Sequence, residues 1–152
     1  MSTKKVFVDS DVVISSIISE KGAAHLLLNE PKFPRSGISL RETNFIISNF
    51  SKIELGKVVD RLNLRREELQ TLIKQRLKTV KIKDNLERIK KDFGDYTLDS
   101  NDAHIIAGAV KAKARFLLTY NVRHFRRQKI NADLGIIVLT PAQYLQYLRS
   151  LG

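Results

Sequence analysis

Several short apolar runs, each stopping abruptly at a polar residue, constrain this chain's fold more than any other feature. Val6-Phe7-Val8 stops at Asp9, Phe45-Ile46-Ile47 at Ser48 and Phe116-Leu117-Leu118 at Thr119, and Ile136 to Leu139 forms a fourth run. Unbroken apolar runs this short read as strands buried on both faces, the pattern of a parallel sheet covered by helices. In such a sheet, ligands bind outside the carboxyl ends of the strands, where these polar residues fall.

The segments between the runs supply the helices. After Asp9, with Ser10 or Asp11 as N-cap, Val13, Ile14, Ile17 and Ile18 recur at helical spacing until Gly22. Ala23 to Leu28 reads as a second short helix closed by Pro31, and residues 29–43 as a loop with one strand at Ile38 to Leu40. Ser48 or Asn49 caps a helix to Leu62, with Leu55, Val58, Val59 and Leu62 as its apolar stripe and Glu54 at the stripe's edge. Further on come an Asn63-capped helix (Leu69, Leu72, Ile73, Leu77), a strand at Val80 to Ile82 and a helix from Leu86 to Phe93 ended by Gly94. A helix then starts at Asp99, Ser100 or Asp102 and runs through Ala114, its small residues Ala107, Gly108 and Ala109 suited to close packing on a sheet. Asn121 to Arg127 is a basic turn or short helix, and Pro141 to Leu148 a closing helix with Pro at its start. This order predicts one domain over residues 1–152: a three-layer α/β/α fold around a parallel sheet of about five strands.

Asp9 ends one strand, Ser48, Thr119 and Asn121 end or follow others, and Glu54 and Asp102 lie early in the helices that follow. They gather at one rim. Carboxylates so placed repel one another unless a divalent cation neutralises them. Cysteine is absent and His25, His104 and His124 are widely scattered, so a metal is held mainly by oxygens, which suit Mg²⁺ or Mn²⁺. An ion held there suits phosphodiester hydrolysis. Each acid also has an ordinary use: Asp102 and Asp11 as helix caps, Glu54 as an early-helix acid favoured by the macrodipole.

The net charge of +11 attracts polyanions. Between Asp102 and Asp133 there is no acid, while Lys111, Lys113, Arg115, Arg123, Arg126, Arg127 and Lys129 all fall there. Arg123, Arg126 and Arg127 are candidate phosphate contacts beside the site. No apolar run approaches the roughly 20 residues that span a bilayer, and MSTKK lacks the apolar core of a secretory signal, so a cytoplasmic location is expected.

VFVDSDVVISSI, FIISNFSKIELGKVV, LDSNDAHIIAGAVKAKARFLLTYNVRHF and IIVLTPAQYL, in this order and spacing, resemble a PIN domain of the kind found in VapC-type toxins of toxin-antitoxin pairs. The resemblance runs from Val6 to about Leu148 and implies a metal-dependent ribonuclease. It implies Asp9, Glu54 and Asp102 as metal ligands, Asp99 as an auxiliary acid, and Thr119 and Asn121 as polar groups positioning water or the scissile phosphate. RNA as substrate, a small antitoxin and a second copy of the chain as partners are implied in the same way. Two positions depart from the family pattern: Asp11 stands where Asn, Ser or Thr is common, and His124 where a fourth acid often lies. Asp11 either adds a ligand or caps its helix; His124 ligates metal, contacts phosphate or is plain surface. His25 and His104 read as packing residues.

Two other readings compete. Asp9-Ser10-Asp11 after a strand resembles the nucleophile motif of haloacid-dehalogenase-like phosphatases, although Val12-Val13 replaces the usual Gly-Thr. The other is a PIN-like RNA-binding protein whose catalysis is impaired, with His124 as its support.

Overall fold

The computed structural model describes residues 3–29, 32–33, 38–39 and 43–151. Its centre is a five-stranded sheet in which every neighbouring pair is parallel. Strand β1 (Lys4–Val8) lies in the middle, between β4 (Thr43–Ser48) and β6 (Phe116–Leu118), with β5 (Leu77–Val80) and β7 (Ile137–Leu139) at the edges. A separate antiparallel pair, β2 (Lys32–Phe33) and β3 (Ile38–Ser39), lies in the segment read as a loop. Leu40 and Pro31, expected to end a strand and a helix, fall outside the described residues.

Alternation along β1 divides the core. Val6 and Val8 face a layer built from α1 (Ser10–Ile18), α2 (Ala23–Asn29), α3 (Asn49–Arg61), α4 (Arg66–Arg76) and α8 (Pro141–Ser150). Phe7 faces the opposite layer, where α6 (Ala103–Lys111) and α7 (Arg127–Leu134) pack, with α5 (Leu86–Phe93) against α6. The architecture is thus the three-layer α/β/α expected. Helix α6 comes close to the sheet because Gly108 has no Cβ: one there would run into the fully buried Phe7 ring.

The differences from the expected boundaries have local causes. The α1 cap is Asp9 itself, which accepts from Ser10 N. Asn63 does not cap α4; it takes a left-handed φ of 56° and turns the chain after α3, a conformation Asn tolerates. Leu77 opens β5 rather than ending α4, and the strand ends at Val80. As an edge strand with Lys78 and Thr79 exposed, β5 lacks the apolar run that marks the inner strands. Leu62 remains 47% exposed, and α6 stops at Lys111 before Lys113 takes a φ of 55°. Helix α7 was not expected at all: Ile130 is its one buried residue, so it carries no apolar stripe, and Gly135 closes it at φ 66°.

Candidate metal-binding active site

Chain order reverses at β1: one half of the sheet builds outward through β4 and β5, the other through β6 and β7. Such a reversal opens a crevice at the carboxyl ends of the strands. A groove of about 930 Å³ lies there, and Asp9, Asp11, Glu54, Asp99 and Asp102 all line it.

Asp9 joins β1 to α1 without a loop and is only 8% exposed. Its Oδ1 accepts from Ser10 N at 2.7 Å and its Oδ2 from Thr119 Oγ1 at 2.9 Å. Burial, then the charge of Asp11, push its pKa up to about 8; the Thr119 hydrogen bond opposes this and Glu54 adds to it. Asp11 Oδ2 accepts from Tyr120 N at 3.0 Å and Asn121 Nδ2 at 3.1 Å, while its Oδ1 is buried without a hydrogen-bond partner among the described residues. Burial raises its pKa as well, against the hydrogen bonds from Tyr120 N and Thr119 Oγ1. The side chain therefore clamps the start of α1 to the turn after β6, a use the sequence did not disclose.

Glu54 reaches the groove from α3, with Oε2 3.4 Å from His104 Nε2. His104 holds the Glu54 carboxyl below its ordinary range against the upward push of partial burial, and nearby Ser10 acts in the same direction. Asp102 makes no side-chain capping bond; Asp99 caps the short 3-10 turn Ser100–Asp102, accepting from Asn101 N at 2.9 Å. Burial, then the charge of Asp99, raise the pKa of Asp102, and His124 Nδ1 lies 3.9 Å from its Oδ2.

Among the described residues no three His, Asp or Glu side chains already stand close enough together to hold an ion. Uncompensated carboxylates keep their distance, and here each is tied to a protein donor or left free. The donor set nevertheless fits a hard divalent cation. Every candidate is a carboxylate oxygen, Asp11 Oδ1 is a buried acceptor lacking a hydrogen-bond partner among the described residues, and Asp9 is too enclosed to carry its charge cheaply.

The remaining expected residues are more dispersed. Asn121 and His124 line the groove, but Thr119 is fully buried and touches Asp9 rather than open space. Arg123, Arg126 and Arg127 line a neighbouring depression that shares Phe125 with the groove, and Arg127 also donates to Val138 O at 3.1 Å. Arg61, two turns along α3 from Glu54, lines the groove itself; i,i+7 spacing from a candidate ligand was the available signal. His25 is a packing residue whose Nδ1 lies 3.0 Å from Ser16 O.

A profile of the PIN domain matches residues 5–123, most of the chain and all five acids that line the groove. The chain belongs to the PIN domain family. PIN domains are generally nucleases, which decides against the haloacid-dehalogenase-like reading. The fold is similar to a chain of the crystal structure of VapBC2 from Rickettsia felis bound to a DNA fragment from their promoter. That similarity has a TM-score of 0.58 and 14% identity, covering 90% of this PIN domain chain and 98% of the other. No curated protein matches the sequence.

Proposed function

We propose that this PIN domain is a divalent-metal-dependent endoribonuclease, the toxin of a toxin-antitoxin pair. The observation that carries the reading is the groove at the sheet's reversal point, where carboxylates from three separate segments converge: Asp9 after β1, Glu54 on α3 and Asp102 before α6. These three would hold Mg²⁺ or Mn²⁺, with Asp99 as an auxiliary acid. When bound, the ion supplies charge neutralisation for a phosphodiester and a lowered pKa for water.

The chain's own groups do the rest. Thr119 and Ser10 N fix both oxygens of Asp9. Asp11 holds Asn121 at the groove wall, where it can orient water or a phosphate oxygen. Arg61 gives the groove a cation, and Arg123, Arg126 and Arg127 extend positive charge away from it along a path for the RNA backbone. The similar fold in a VapBC2 structure supports a small protein antitoxin as partner, and a homodimer is proposed with it.

Purified protein should cleave RNA only with Mn²⁺ or Mg²⁺, and Asp9→Asn should lose that cleavage while keeping the circular dichroism spectrum of the parent. Equal cleavage by Asp9→Asn would refute the assignment of the site. Salt-sensitive RNA binding without turnover under any divalent cation would instead identify an impaired RNA-binding protein.

A further inference from the structure

His104 is buried at the start of α6, only 7% exposed, yet it lies beside a candidate ligand of the opposite helical layer. Phe50 covers its ring, centroids 6.0 Å apart and planes tilted by 33°. Nδ1 is buried and has no hydrogen-bond partner among the described residues, while Nε2 faces Glu54 Oε2 at 3.4 Å. Burying an imidazole N–H without an acceptor is costly, whereas an unsatisfied acceptor nitrogen is tolerated more readily. The proton therefore belongs on Nε2, directed at the carboxylate.

Glu54 needs such an anchor more than Asp9 does. Its side chain is 44% exposed on a long flexible stem, whereas Asp9 is buried and held by two donors. Glu54 projects from α3, which packs on one face of the sheet, and His104 from α6, which packs on the other. Their contact spans the carboxyl rim and fixes the acid relative to Asp102, two residues before His104 on the same chain segment. A contact of 3.4 Å is long for a hydrogen bond, and such bonds commonly tighten when the ligand arrives.

We propose that His104 is a positioning residue: its Nε2–H orients the Glu54 carboxylate for the divalent cation. This rests on the metal reading of the site. His104→Leu keeps the buried volume and removes the donor, whereas His104→Gln places an amide N–H near the original Nε2.

Mn²⁺ binding to the full chain, followed by electron paramagnetic resonance of the free ion, gives a readout independent of cleavage. His104→Leu should bind roughly 10- to 100-fold more weakly, and His104→Gln within about threefold of the parent. In a Glu54→Gln background, His104→Leu should cost nothing further. Equal losses in the Leu and Gln variants, or the full loss persisting without Glu54, would overturn the proposal. Nitrogen-detected NMR of metal-free protein tests the pair by itself: His104 should be the Nε2–H tautomer, and Glu54→Gln should shift its ring signals. An Nδ1–H tautomer or unmoved signals would also overturn it. A parent that takes up no Mn²⁺ would sink the metal reading instead, leaving the pair to be decided by the NMR comparison of the parent with Glu54→Gln, which also stands should His104→Leu not fold.

Discussion

Asp9 sits in surroundings that penalise its charge, and the penalty has a measurable sign. Its folded pKa is raised from about 3.8 in the open chain to about 8, so the folded state binds the proton more tightly than the unfolded one. The associated stability is present in full at pH below 3.8 and is lost as pH rises through about 8. Thermal melts of metal-free protein should therefore show Asp9→Asn gaining on the parent between about pH 5 and pH 8, and saturating Mn²⁺ should raise the melting temperature of the parent but not of the variant. A parent that instead gained on the variant across that range would show that Asp9 is not the strained acid. That Asp9, Glu54 and Asp102 would meet at one groove was legible in the sequence because strand ends and helix starts of a parallel sheet share one rim by geometry. The links between them were not: Asp11 to Asn121 and His104 to Glu54 depend on rotations about helix axes that spacing leaves open.

At the level of elements, what the sequence made legible follows burial. Strands β1, β4 and β6, enclosed on both faces, declared themselves as unbroken apolar runs, whereas edge strand β5, interrupted by exposed Lys78 and Thr79, was displaced, and α7, with Ile130 its one buried residue, was missed. Gly108 provides a test of how α6 is seated. Helix propensity alone would favour Gly108→Ala by about 1 kcal/mol. The buried Phe7 ring leaves no room for the new methyl group, and overpacking of this kind typically costs about 1–3 kcal/mol. The urea midpoint should accordingly fall, and because α6 carries Asp102 at its start, cleavage should fall with it. A rise in the midpoint would mean that the sheet yields to the helix.

At the scale of the whole molecule, five acids line one groove of a chain whose net charge is +11, while Arg123, Arg126 and Arg127 line the depression beside it. Removing Arg123, Arg126 and Arg127 together should weaken binding to single-stranded RNA and flatten its salt dependence by about 0.7 in slope for each phosphate no longer neutralised. An unchanged slope would locate the backbone path elsewhere, and Arg127→Ala alone should also cost some stability through its bond to Val138 O. Composition points to a polyanion partner but not to the place of these arginines beside the acidic groove, which depends on where the turn after β6 lies.

The position of β1 has a consequence for the order in which the molecule comes into being. It is the first of the sheet's strands to be synthesised and the one in the middle, and it gains its second neighbour only with Phe116–Leu118. Until the ribosome has released that strand, Asp9 lacks the Thr119 hydroxyl and the enclosing wall of the groove. The groove proposed to cut a phosphodiester would thus stay incomplete in the nascent chain, and truncated products ending before β6 would lack the Thr119 hydroxyl and that wall.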